Sequence, residues 1–301
     1  MSDLNEKGFA ASLRQDMNTV TDNPSATHTG LNVPRLLQLP AELRNHIYEY
    51  VLTAPDGLQY ERRKIWAEPP KTFLCLPKFA SEAIEFNQLK YVNRQLYNET
   101  AGLELKFNPI AFPSWLDEDL PPPGCQFLLF MGRLDTPKRS ILRTIILLPE
   151  TIWGECSIHE DAEDLVKIND FCKENPHATV KYICSGFSYV EQPFDNIQNI
   201  STGNFFAAAT ILLWVFRKQE LQLPFSASPW EDELRLAKRC SLRHMSKCEA
   251  FVENFRVFPP TTDFDDVFVD TCRQEYHAPV MTRDDVDFLL AQARKWMESG
   301  L

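Results

Sequence analysis

"LRTIILL" (Leu142–Leu148) and "TVKYICS" (Thr179–Ser185) decide the fold of this chain. Both are short apolar runs of strand length, and the interval between them carries "DAEDLVKINDFCKENP" (Asp161–Pro176), which reads as a helix. A further short helix is predicted over "CQFLLFMGRL" (Cys125–Leu134), ahead of the first run. Helix, strand, helix, strand with apolar strands predicts a small parallel sheet with helical crossovers. The C-terminal third reads as mainly helical, over "NFFAAATILLWVFRKQELQ" (Asn204–Gln222), "SPWEDELRLAKRCSLRHMSKCEAFVENF" (Ser228–Phe255) and "TRDDVDFLLAQARKWMESG" (Thr282–Gly300). Ser228 is placed to cap a helix starting at Pro229, and Thr282 with Asp285 is an acidic relative of the capping box. "PPTTDFDDVFVDT" (Pro259–Thr271) is an acidic connector.

On the N-terminal side, "DEDLPPPG" (Asp117–Gly124) reads as a stiff polar linker, dividing a module over 31–116 from a region over 125–301. Within the module a helix is expected from Ser81 to Leu105, with Leu89, Val92, Leu96 and Leu103 at helical spacing and Asn108-Pro109 ending it. "PIAF" (Pro109–Phe112) follows as a short strand. The stretch Thr53–Lys78 carries Pro55, Pro69, Pro70 and Pro77, which excludes a long helix and leaves room for a hairpin around "GLQYERRKIW" and "TFLCL". We read 53–78 as an insertion. Residues 1–30 are polar and lack apolar periodicity, the composition of a disordered tail. The expected class is therefore α+β and mainly helical, with N-terminal helices, a small sheet and a helical C-terminal region.

One further helix stands apart, in "LLQLPAELRNHIYEYVL" (Leu36–Leu52). Pro40 has its φ preset for the first helical position, and Glu42 complements the positive end of the helix dipole. Leu43, Ile47 and Val51 make an apolar stripe, while Asn45, His46 and Glu49 cover the other side. Two fates are open to that stripe. It closes on the Leu89–Val92–Leu96 helix, the outcome given more weight here, or part of it stays exposed as a docking surface for another protein. In "VNRQLYNET" (Val92–Thr100), Arg94 and Glu99 interrupt an apolar pattern; an Arg94 fork paired with Glu99, or with Glu42, would fix how the two helices meet.

The 301 residues hold 42 acidic and 31 basic side chains, a formal net charge of −11. That balance argues against binding nucleic acid, whose affinity comes largely from Lys and Arg on phosphates, and against docking on anionic lipid. The longest apolar run, Phe205–Phe216, is about a dozen residues and too short to span a bilayer. Eight scattered cysteines and no secretory leader fit reduced thiols, and a cytoplasmic or nuclear location is expected.

Catalytic chemistry finds little support. Cys240, His244 and Cys248 lie four apart and are zinc-ligand types, but no close C-x2-C pair accompanies them, so core packing explains them better. Asp263, Asp265, Asp266 and Asp270 lack the spacing, turn glycine and terminal glutamate of a calcium loop. His159 with Glu160 and Asp161, and His177 after Pro176, sit without a nucleophile placed by sequence. No G-x-S-x-G, P-loop, G-x-G-x-x-G or H-E-x-x-H occurs. The expectation is a non-enzymatic chain with no cofactor and no metal.

Three stretches carry a resemblance. "LLQLPAELRNHIYEYVL" resembles the opening of an F-box, the helical motif with which substrate receptors dock onto the Skp1 adaptor of cullin-type ubiquitin ligases. Together with "LKYVNRQLYNETAGLELKFNPIAF" (Leu89–Phe112) and "RSILRTIILL" (Arg139–Leu148), it resembles the fungal F-box-like family called two-EXR more closely, over residues 36 to 148. In that pattern L-P-x-E-L-R-x-x-I-Y is followed at a distance by V-N-R-Q-x-x-x-E-T. The resemblance implies F-box-like N-terminal helices, partner-binding positions at Leu39, Pro40, Leu43, Ile47 and Val51, and motif positions at Glu42, Arg44, Asn93, Arg94 and Glu99. It also implies a protein partner, an Skp1-like adaptor, with the region after the linker supplying recognition of a client. A second Glu-Leu-Arg triplet, Glu233–Arg235, lies far downstream and is not equated with the motif. The strand–helix alternation after the linker resembles a degenerate leucine-rich-repeat unit, too poor in repeats to be a solenoid. The alternative is a scaffold or host-interaction protein with an F-box-like fold that does not bind Skp1. About 25 residues between the first helix and the second favour that alternative, since an F-box packs its helices close in sequence.

Overall fold

The structure is a computed structural model and describes residues 34–65, 68–82, 84–114, 121–149, 162–183, 209–210, 212–219, 249–258, 269–270 and 282–301. Two compact units are distinguished, Met1–His46 and Ile47–Leu301, and the division falls inside one helix. The described part of the first unit is a short helix α1 (Arg35–Gln38) and the first half of α2 (Ala41–Val51).

The second unit is built on a six-stranded mixed sheet with helices, an α+β arrangement. Its strands are β1 (Leu58–Ile65), β2 (Glu68–Cys75), β3 (Ile110–Pro113), β4 (Thr144–Leu148), β5 (Thr179–Ile183) and β6 (Phe255–Phe258), in the order β2-β1-β3-β4-β5-β6. Only β1 and β2 pair antiparallel; β1 to β6 are otherwise parallel neighbours. The parallel sheet expected from "LRTIILL" and "TVKYICS" is thus present, and it extends on both sides of those two strands. The stretch read as an insertion supplies β1 and β2, and β1 pairs with β3 through Leu58–Ile110 and Gln59–Ala111. Strands from before and after 117–124 share the sheet, and Pro123 and Gly124 already form the first turn of a helix.

Strand side chains alternate between two faces, so register decides the core. Ile110, Ile145, Val180 and Phe255 form one row across the sheet, and Phe112, Leu147, Tyr182 and Val257 form the next. All eight are essentially inaccessible to solvent. Between the strands run α3 (Arg94–Thr100), α4 (Leu103–Phe107), α5 (Pro123–Arg133), α6 (Thr136–Ile141) and α7 (Ala162–Glu174). From α5, Phe127 and Phe130 meet Phe112 edge-on at 5.5 Å between ring centres, and Tyr60 tilts against it at 5.1 Å. The last helix, α8 (Arg283–Ser299), adds Val286, Leu289, Ala293 and Trp296 to the same core. It begins as expected with a capping box, in which the Thr282 hydroxyl accepts from the Asp285 N–H and the Asp285 carboxylate accepts from the Thr282 N–H.

Two expectations need correction. The helix read over Ser81–Leu105 is broken into 3-10 turns at Pro77–Glu82 and Leu89–Tyr91, then α3 and α4. Asn93 stops one segment and starts the next, accepting from the Leu96 N–H at 2.9 Å, and Gly102 takes φ +93°, a value no continuing helix allows. Likewise, Phe255 ends no helix but opens β6, because pairing with β5 outweighs the helical spacing of Phe251 and Phe255. Arg217, at the end of a π-helical turn (Leu213–Arg217), donates to four backbone carbonyls, those of Phe251, Val252, Phe255 and Leu301, at 2.7 to 2.9 Å. Gly300 adopts φ +74° and ψ 173° just after α8, where a Cβ would lie 3.0 Å from the Phe258 ring. Glycine is the residue that fits both demands.

Candidate functional site

The L-P-x-E-L-R residues lie at the entry of α2 and in its first turns. In the first unit Leu39 is extended, and Pro40 stands just ahead of the helix, giving its carbonyl to the Arg44 N–H at 3.1 Å. Arg44 turns back and donates from Nη1 to the Leu39 carbonyl at 2.6 Å. The E-L-R triplet therefore has a local job: Arg44 closes the helix entry, and Glu42 lies exposed in the first turn, where the dipole favours a negative charge. Leu43, between them, is 51% exposed.

In the second unit, the rest of α2 is anchored by two residues. Tyr48 is fully buried and its hydroxyl donates to Glu99 Oε2 on α3 at 2.6 Å. Leu52 is 2% exposed, and its carbonyl accepts from Asn108 Nδ2 at 2.6 Å. Asn108 is fully employed, because Nδ2 also donates to the Glu104 carbonyl and Oδ1 accepts from the Ala54 N–H. A single buried amide thus ties the exit of α2 to the start of β3.

That anchoring sets which face of α2 points out. At 100° per residue, Leu43, Ile47, Tyr50 and Val51 lie within about 100° of one another, and Tyr48 and Leu52 lie away from them. Ile47 is 37% exposed, Val51 48% and Tyr50 86%. The internal packing given more weight from sequence is therefore wrong: Ile47 and Val51 are exposed, and so is Val92, on the segment they were expected to meet. Tyr48 and Tyr50 are what sequence reading missed. Tyrosine at helical spacing with Leu52 was the available signal for the buried side.

The charge pairing is also corrected. Arg94 is exposed, with no hydrogen bond or ion pair among the described residues. Glu99 instead accepts from Tyr48 and from Gln95 Nε2 at 2.9 Å. Asn93 keeps a structural role as the cap of α3. Near Val92, Glu85 binds both the Lys90 ammonium and the Tyr91 hydroxyl. Burial opposes the Lys90 charge, but the hydrogen bond and charge of Glu85 outweigh it and raise the ammonium above the usual lysine value.

Other reactive groups have structural employment. Burial pushes the Cys172 thiol up to about 12, which removes thiolate chemistry at neutral pH. Burial lowers the Arg217 guanidinium, and its four carbonyl partners leave no terminal N–H for an anion. His177 is exposed. Among the described residues no group of three His, Cys, Asp or Glu side chains is placed to hold a metal, and no helix is long and apolar enough to cross a membrane. Cys240, His244, Cys248, Glu233–Arg235, His159–Asp161, Asp263, Asp265 and Asp266 lie outside the described residues, as do the Ser228 cap and the tail over 1–30.

Compared with protein-family models, with curated proteins and with solved structures, the chain matches none.

Proposed function

We propose that this chain is a non-enzymatic protein–protein interaction protein, F-box-like at its N-terminal helices, that docks an Skp1-like adaptor of a cullin-type ubiquitin ligase through the outer stripe of α2. The observation that carries the reading is the exposure of Leu43, Ile47 and Val51 on a helix whose other side is anchored by Tyr48 and Leu52. An apolar stripe that finds no burial gains free energy when a partner covers it. Leu39 and Pro40 extend the stripe at the helix entry, and Glu42 and Arg44 shape that entry. The rest of the sheet domain then supplies recognition of a client. A second reading is a scaffold with an F-box-like fold that does not bind Skp1. It is favoured by the β1–β2 hairpin, which stands in sequence between α2 and α3.

The deciding experiment measures thermal stability and adaptor pull-down on the same Leu43→Ala/Ile47→Ala variant, with Leu96→Ala as a buried control. Adaptor capture by the wild type, lost in the double variant with a melting temperature shifted by no more than a few degrees, supports the ligase reading. A folded wild-type protein that captures no adaptor at micromolar concentration refutes it and leaves the scaffold.

A further inference from the structure

The sheet has a second face. Because strand side chains alternate, the residues between the core rows point away from them: Ala111, Ile146, Lys181 and Arg256 form one cross-strand row. Pro113 pairs with Leu148, and Ile183 pairs with Phe258, in the row beyond. At the β1 end this face is closed, since Cys75 and Glu61 are buried. From β3 to β5 it is open: Ala111, Pro113, Ile146, Lys181 and Ile183 are half-buried and Leu148 is exposed, while on β6 Arg256 is exposed and Phe258 is buried beside Gly300.

The face is also polarised. Ala111, Pro113, Ile146 and Leu148 make an apolar half on β3 and β4, and two cations stand together on β5 and β6. Lys181 and Arg256 are direct cross-strand partners, an arrangement in which like charges repel. The Lys181 ammonium sits 5.3 Å from the centre of the Phe258 ring, and Arg256 donates only to the carbonyls of Ser299 and Glu253. No carboxylate pairs with either among the described residues, in a chain with 42 acidic side chains. Two neighbouring cations without a carboxylate partner among the described residues, in so acidic a protein, mark a place where an anionic group from outside is favourable.

We propose that this face, from β3 as far as Arg256 on β6, binds a peptide segment of a partner protein, its carboxylates over Lys181 and Arg256 and its apolar side chains over Ile146 and Ala111. Two cations are too few to hold a nucleic acid against a net charge of −11. Strand addition at β6 is closed off as well, because Val257 exchanges backbone hydrogen bonds with Leu301 along that edge. The face itself is what remains. The inference does not rest on adaptor docking, which uses α2.

Fluorescence anisotropy with a short fluorescein-labelled peptide of alternating aspartate and leucine tests it on the full chain. Binding is expected, weakened roughly tenfold or more by Lys181→Gln/Arg256→Gln and by Ile146→Ser. Replacing leucine by serine in the peptide is expected to abolish binding. Arg256→Gln alone, at an exposed position, covers the case in which the double variant fails to fold, and near-UV circular dichroism verifies the fold of each. No binding by the wild type overturns the proposal. Affinity unchanged in folded variants overturns it too, as does equal binding of the serine peptide, which would mean charge attraction alone.

Discussion

The β4 strand and the outer stripe of α2 are similar as sequence and opposite as structure. Ile145 and Leu147 are fully buried, while Leu43, Ile47 and Val51, no less apolar, are between 37% and 51% exposed. The difference lies in what stands opposite. β4 has a parallel neighbour on each side, and Ile145 and Leu147 belong to the same buried core as Phe127 and Phe130 of α5. The α2 stripe is turned outward because Tyr48 and Leu52 take the inward positions, held by Glu99 and Asn108. Hydrophobicity tells that a side chain gains by burial, not whether its own chain supplies the cover.

The contrast can be broken most severely from the core side. Phe112→Ala removes the ring on which Tyr60, Phe127 and Phe130 converge and is expected to cost about 3–5 kcal/mol in chemical denaturation. A loss below about 1 kcal/mol would mean that the sheet core is not where stability resides.

Asn108→Ala comes next, at about 2–4 kcal/mol, because it leaves the Ala54 N–H and the Leu52 and Glu104 carbonyls unpaired in a buried site. The same variant should loosen the exit of α2, seen as faster amide exchange at Leu52 and Ala54. Unchanged exchange would separate the stripe's orientation from this anchor.

Thr282→Ala should cost about 1 kcal/mol through loss of the α8 cap. It should also alter acid behaviour. The Thr282 hydroxyl and N–H hold the Asp285 carboxyl below the usual aspartate value. A depressed folded-state value adds stability above the unfolded value of about 3.9, and this is lost as pH falls through the lower folded value. Melting curves below about pH 4 should thus be less steeply pH-dependent in the variant.

The smallest effect is expected where the contrast is sharpest. Leu43→Ala/Ile47→Ala should shift stability by only about 0.5 kcal/mol per site, since both side chains are exposed and alanine favours helix. A loss of several kcal/mol would show that the stripe is covered by its own chain after all, and would remove the basis of the docking reading.

Much of this was legible in the residues. The strands over Ile110–Pro113, Thr144–Leu148 and Thr179–Ile183, the helix between the last two, and the Thr282–Asp285 cap follow from local pattern, with the cap set by residues three apart. The hairpin of β1 and β2 was legible as a hairpin, but not as part of the main sheet, because two register pairs with β3 depend on a partner some fifty residues away in sequence. β6 was hidden for the same reason: "FRVF" becomes a strand through β5, and helical spacing of its phenylalanines pointed elsewhere.

The candidate surfaces divide in the same way. Residue order alone makes α2 amphipathic and marks its start at Pro40 and Glu42. Long-range contacts set the rest: Tyr48 and Leu52 face inward, Glu99 serves Tyr48 and not Arg94, and Lys181 stands opposite Arg256 on the neighbouring strand. Helical and strand periods are local and repeat along the chain, so they can be read from it. Which face is covered, and which charges become neighbours, depends on register and long-range hydrogen bonds formed when distant segments meet.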